Sequence, residues 1–120
     1  MIEEYNFGYV KINDKKYIED IEVRWTGEVL EWLRQESHII DVENVKRAVE
    51  ADPQIIVIGT GDYGMAKLTD ESRRFIEQPD IELVVDKTAE AVKTYNVICE
   101  DSLEEEGKQS RVIGLFHLTC

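Results

Sequence analysis

The sequence predicts an α/β domain in which a largely parallel sheet is covered by helices and an N-terminal β-hairpin forms an added layer. Three observations predict it. The runs at 55–58, 81–85 and 111–119 are apolar on both faces, as strands inside a parallel sheet are. The segments between them carry apolar residues at spacings of three and four, the period of a helix with one buried stripe. The N-terminal part instead alternates with a period of two, the pattern of a half-buried strand.

Residues 7–12 carry β-forming side chains, and Asn13-Asp14 follows as a turn pair that tolerates positive φ. Ile21, Val23 and Trp25 alternate with Asp20, Glu22 and Arg24, which predicts a returning strand with one buried face. Thr26-Gly27 breaks it. Residues 28–36 fit either a helix, through Val29, Leu30 and Leu33, or a third strand. Asp41 then caps a helix with the stripe Val42, Val45 and Val49, and Pro53 ends it by pushing Asp52 out of helical geometry. After the strand Ile55-Ile56-Val57-Ile58, Gly59-Thr60-Gly61 turns the chain. Thr69 or Asp70 caps a short helix, Asp70 and Glu71 suit its positive end, and Pro79 stops it. The strand at 81–85 leads to Thr88, which caps a longer helix with the stripe Ala91, Val92, Tyr95, Ile98 and Cys99. Its far end runs into an acidic segment, 100–106, closed by Gly107. Val112, Ile113, Leu115, Phe116 and Leu118 fill both faces of the last strand, whose direction relative to its neighbours is left open. There is no internal repeat or low-complexity linker, so residues 1–120 are read as a single domain.

A chain of 120 residues with 42% apolar content can bury a core of its own. No apolar run approaches the roughly 20 residues of a membrane span, and the first residues lack a basic stretch followed by an apolar core. A cytoplasmic location is the expectation. The net charge of −12 argues against nucleic acid and against an anionic membrane surface as partners, since both need clustered Lys and Arg. It suits solubility and could steer a basic partner. Cys99 and Cys120 form no disulfide framework and no C-x-x-C pair, and both are expected to be reduced thiols.

Gly59-Thr60-Gly61-Asp62-Tyr63-Gly64 matches G-x-G-x-x-G after a strand, with Asp86 near the end of the next one. A dinucleotide site also needs a helix that starts at the loop, whereas the helix start here is Thr69 or Asp70. The chain is too short for a second mononucleotide half and a substrate domain. The glycines therefore read as a tight turn, and no cofactor is expected, NAD and NADP included. The expected alternative is a small polar pocket at residues 59–64, lined by Thr60, Gly61, Asp62 and Thr88, with His117 as a further candidate. A histidine inside an apolar strand must find a hydrogen-bond partner, either within the core or at a pocket wall. Alternation puts His117 and Thr119 on one face and Cys120 on the other, so a Cys–His nucleophile pair would need the strand to bend. His38 is the other histidine, neither has a carboxylate at helical spacing, and residues 100–106 lack the calcium-loop pattern, so no metal is expected. No nucleophile, base and acid assemble into a set, and the reading leans away from an enzyme.

Ser37-His38, Ile58-Gly59-Thr60-Gly61, Thr88-Ala89-Glu90-Ala91, Tyr95-Asn96 and His117-Leu118-Thr119-Cys120 occur here in one order. That order resembles the adipogenesis-associated Mth-domain-containing protein family in its archaeal and bacterial branch. It is distantly similar to the mitochondrial assembly factor 3 of NADH:ubiquinone oxidoreductase. The resemblance implies three layers, a central mixed sheet with flanking helices and the N-terminal hairpin. It carries Ser37, His38, Gly59, Gly61, Thr88, Tyr95, Asn96, His117, Thr119 and Cys120 as family motif positions. It also implies no assigned enzymatic activity and a role as an assembly or signalling partner. The functional expectation is a protein-interaction or assembly-type module with an unidentified protein partner, a homodimer being one form of it. The alternative is a protein that binds or turns over a small molecule at the loop 59–64.

Overall fold

The computed structural model describes residues 1–36, 38–106 and 110–120, with the backbone alone for 103–106. The chain opens with an antiparallel meander of β1 (Ile2–Asn6), β2 (Tyr9–Ile12) and β3 (Lys15–Tyr17). Asn13 and Asp14 join β2 to β3 with φ of 51° and 63°, as a two-residue hairpin requires. The expected turn is therefore present, but its returning strand is β3. The sequence pattern did not reveal β1, because only Ile2 of its five residues is buried and no alternation shows.

The run read as the returning strand, β4 (Ile21–Arg24), leaves the meander and enters a central five-stranded sheet. It is also buried on both faces, with Glu22 1% exposed beside Ile21 and Val23, which corrects the one-faced reading. The ambiguous segment contributes β5 (Val29–Glu31). Then follow β6 (Ile39–Ile40), α1 (Val42–Glu50), β7 (Ile55–Thr60), β8 (Lys67–Leu68), α2 (Asp70–Glu77), β9 (Glu82–Asp86), α3 (Thr88–Glu106) and β10 (Val112–His117). The sheet order is β5-β4-β10-β7-β9. β7 runs parallel to both β9 and β10, while β4 runs antiparallel to β10 and to β5. The last strand is thus parallel to its neighbour β7, and β6 and β8 form a separate small parallel pair.

Local chemistry sets the helix ends. Asp41 and Asn44 form a reciprocal capping box on α1, and Thr69 Oγ1 accepts from Ser72 N at 3.1 Å on α2. The acidic residues up to 106 belong to α3, while Gly107 lies outside the described residues.

Each face of the sheet carries its own apolar core. On one face Val57, Phe116 and Leu118 pack with Ala91, Tyr95 and Cys99 of α3 and with Val10 and Ile12 of the meander. On the other, Ile56, Ile58, Ile113 and Leu115 pack with Val45 and Ala48 of α1, Ile76 of α2, and Trp32. The Tyr95 ring meets Phe116 edge-on at 5.8 Å. A Cβ at Gly114 would run into the Phe116 ring, so glycine there makes room for that aromatic. The molecule is a three-layer mixed α/β domain. Among the described residues no helix is long and apolar enough to cross a membrane. With β7, β9 and β10 parallel, their carboxyl ends share one edge, where the loop 59–66, the 86–88 turn and the start of β4 all meet.

Candidate functional site at the carboxyl edge of the sheet

The C-terminal residues are tied into this edge by main-chain hydrogen bonds. Gly8 N donates to Leu118 O at 2.7 Å, Asp62 N to Thr119 O at 2.6 Å and Met65 N to Cys120 O at 3.0 Å. Gly61 has φ of +103°, and a Cβ there would collide with the Cys120 carbonyl. A Cβ on Gly59 would lie 2.8 Å from Thr88 Oγ1. Thr88, fully buried, accepts from Gly61 N at 2.8 Å and donates to His117 O at 2.6 Å. The two glycines thus permit close approach of the loop to β10 and α3. The Thr88 hydroxyl bridges strand ends, a different use from the helix cap expected of it.

The five residues expected to line one pocket are distributed over four environments. Thr60 donates to Asp86 O at 3.1 Å and lines a cleft of about 390 Å³ bounded also by Gly64, Lys67, Arg73 and Lys87. Gly61 and Thr88 are locked together beneath it. Asp62 faces the meander and accepts from Tyr5 Oη at 3.3 Å. Burial pushes the Tyr5 phenol up, and the adjacent Asp62 charge adds to that rise.

His117 lines a second cleft, of about 320 Å³, together with Thr119, Asp20 and Arg34. His117 Nδ1 lies 2.7 Å from Asp20 Oδ2 and 2.7 Å from Arg34 Nη2. With a proton on Nδ1 the ring donates to Asp20; without one it accepts from Arg34. Asp20 Oδ2 also accepts from Arg34 Nη2 at 2.9 Å, and Oδ1 accepts from Leu118 N at 2.9 Å. Burial pushes the Asp20 carboxyl up, but hydrogen bonds from the His117 ring, the Leu118 amide and Arg34 outweigh it and hold the group below its ordinary value. Arg34 Nη1 donates further to the carbonyls of Glu36 and Ile39, and its guanidinium lies over the Trp32 ring at 4.8 Å. His117 Nε2 is buried and has no hydrogen-bond partner among the described residues. His117 is therefore both a buried residue and part of a cleft wall. The cluster clamps the start of β4, the 32–39 segment and the end of β10 to one another.

Sequence reasoning did not find Asp20 or Arg34. The available signal was the need of His117 for a partner, but Asp20 becomes its neighbour only through the antiparallel pairing of β4 with β10. Glu22 escaped for the same reason. Its carboxylate accepts from Arg24 Nε at 2.7 Å and Arg47 Nε at 3.1 Å, and Arg47 Nη2 reaches Glu31 O at 2.7 Å.

Of the remaining motif positions, Tyr95 and Asn96 serve the framework. Tyr95 is buried against Phe116, and the Asn96 amide exchanges two hydrogen bonds with the Ile2 main chain at 2.8 and 2.9 Å. His38 is exposed and accepts from Lys67 N through its carbonyl. Ser37 lies outside the described residues. Cys99 is buried and Cys120 half-buried, and neither is in a disulfide. Among the described residues no group of three or more His, Cys, Asp and Glu side chains is placed to hold a metal ion.

This architecture has relatives among solved structures. A conserved hypothetical protein from Pyrococcus horikoshii is 31% identical, with a TM-score of 0.82 and coverage of 100% of this chain and 99% of that one. The protein MT938 is 27% identical, with a TM-score of 0.76 and coverage of 100% and 98%. A Mth938-like domain of Bordetella pertussis shares the fold at 20% identity, with a TM-score of 0.67 and coverage of 98% and 84%. The model of the family described as "protein of unknown function (DUF498/DUF598)" matches residues 2–117. The chain belongs to that family, the Mth-like domain proteins whose motif order its sequence resembles.

Proposed function

We propose that this protein is an interaction module that docks a basic protein partner through the face formed by Phe7, Tyr63 and Met65. One observation carries this reading. Phe7 is 53% exposed, Tyr63 66% and Met65 48%, and the rings of Phe7 and Tyr63 lie together with centroids 6.2 Å apart. Two aromatic side chains held together at the tips of two loops leave apolar area in water, a feature of contact sites. The polar groups of the same edge point inward: the hydroxyls of Thr60 and Thr88 are engaged with main-chain groups. Partner charge follows from the −12 of the whole chain, which attracts a cationic surface at long range and repels a second copy. The partner's basic groups then face the acidic remainder of the surface, away from Lys67, Arg73 and Lys87 beside Tyr63.

The test compares the intact protein with a Phe7→Ser, Tyr63→Ser double variant in affinity capture and in sedimentation. A partner retained by the intact protein, lost in the folded double variant and released by raised salt supports the reading. A complex that survives the double substitution overturns the assigned face. A concentration-dependent dimer abolished by the same substitutions would make the occupant a second copy and overturn the basic partner.

A further inference from the structure

We propose that the cleft beside the glycine-rich loop binds a small, doubly charged oxyanion of the phosphate type. The cleft of about 390 Å³ opens at the carboxyl ends of β7 and β9, where Thr60, Gly64, Lys67, Arg73 and Lys87 are among the residues that line it. It is within the size range of small-molecule sites, and strand carboxyl ends are where open α/β sheets place them.

The charge pattern carries the inference. The chain has 26 carboxylates and 14 Lys and Arg, so a cation has an excess of counter-charges available. Yet three cations drawn from β8, α2 and the β9–α3 turn border one concave surface. Among the described residues the ion pairs involve other side chains, and Lys67, Arg73 and Lys87 enter none of them. The three side chains are exposed, so water screens their mutual repulsion in part, but the concavity brings the three charges to bear on one volume. That repulsion is relieved by an anion in the cleft. Asp86 is the one carboxylate lining it, and its Oδ1 accepts from Lys87 N at 2.8 Å, which directs that charge toward the main chain. Three positive charges against one negative leave a surplus of two, which matches a dianion. Gly64 fits the same picture. Its φ is +69°, and a Cβ there would lie 3.3 Å from Lys87 Cγ and 3.6 Å from Thr60 Oγ1, so glycine leaves room for both side chains at the cleft wall. The inference goes beyond the docking face, because it concerns a recessed site and needs no partner protein.

The test is amide-resolved NMR titration with inorganic phosphate at constant ionic strength, with sodium chloride as the monovalent control. The expected result is saturable shifts confined to residues around 60, 64, 67, 73 and 85–87. Lys87→Ala and Arg73→Ala should each weaken binding about five-fold, the scale of one exposed charge pair, and Asp86→Asn should strengthen it by a similar factor. Lys46→Ala, which removes a charge from α1, should leave binding unchanged. Shifts that follow chloride equally, or an equal loss in Lys46→Ala, would reduce the effect to net charge and overturn the site. No saturation up to roughly 10 mM phosphate would overturn it as well. A phosphoserine peptide that binds more tightly than free phosphate would overturn the assignment to a small ligand.

Discussion

Replacing Asp20 by Asn isolates what the buried charge at the His117 cluster contributes. The substitution keeps shape and one acceptor oxygen, which can still serve Leu118 N, but it turns a donor-bearing amide toward Arg34. The Arg34 side chain is 3% exposed and loses the carboxylate 2.9 Å away. Removing one member of a buried ion pair typically costs about 3–5 kcal/mol. Asp20 keeps 20% exposure, so water reaches it and the lower end applies, about 3 kcal/mol. In urea, with a slope of about 1.5 kcal/mol/M for a domain of this size, the unfolding midpoint should fall by about 2 M at unchanged slope. A fall below about 0.5 M would refute the claim that this pair is a buried, unscreened interaction. The pH dependence gives a second check. A carboxyl held below its ordinary value in the folded state contributes stability that is complete above the unfolded value, about 3.9, and is lost as pH falls through the lowered folded value. The deficit of the Asn variant should therefore be constant from about pH 5 to 8 and shrink below about pH 4. A deficit that persists in acid would assign the loss to packing.

Three further substitutions separate the other supports. Gly61→Ala places a Cβ against the Cys120 carbonyl at positive φ and should cost more than about 2 kcal/mol in the same denaturation assay, with faster amide exchange at Asp62 and Met65. Thr88→Val leaves a buried N–H and C=O without the hydroxyl that joins them and should cost about 2–4 kcal/mol, while Thr88→Ser should restore most of it. Glu22→Met removes the shared carboxylate but leaves Arg24 and Arg47 partly exposed and able to reach water, so it should cost about 1–3 kcal/mol, less than Asp20→Asn; Glu22→Ala, which also leaves a cavity, should be clearly worse.

The parts of the fold legible in the sequence are those fixed by local chemistry. Two-faced apolarity marked β7 and β10, which are buried along nearly all their length. It also located β9, but that strand lies at the sheet edge and is only partly buried, which corrects its reading as an interior strand. The side chains of Asp41 and Thr69 marked two helix starts because a cap reads only its own next turn. Strand partnership is different. Ile21, Glu22 and Val23 look the same whether they pair with the meander or with β10, and only the packing of α1 over Glu22 makes the second face a buried one. The site followed the same division. Glycine at 59 and 61 was readable as a turn, but its reason, the approach of Thr88 to Gly59 and of Cys120 to Gly61, lies 29 and 59 residues further along the chain. Asp20 and Arg34 meet His117 across 97 and 83 residues, separations at which a pattern in one sequence carries no information. The three cations of the cleft are equally scattered, and in a chain of net −12 each reads as one more solvated side chain.

The arrangement at the carboxyl edge bears on the proposed docking face and cleft through preorganisation. Leu118, Thr119 and Cys120 each offer a carbonyl to a different loop residue, so the turn bearing Phe7 and the loop bearing Tyr63 and Met65 are fixed to the same short segment. Below them the Thr88 hydroxyl and the Asp20–Arg34–His117 cluster hold that segment to α3 and β4. The hydroxyls of Thr60 and Thr88 are engaged with main-chain groups, and Asp20, Arg34 and His117 bond one another, so the groups of this edge are held in place by hydrogen bonds. Stiffness is what a docking face and a charged cleft both need, since groups already in place lose little freedom when a partner arrives. Tyr63 belongs to both, as one of the exposed rings and as part of the cleft wall. The aromatic face and the basic cleft therefore meet on one rigid loop.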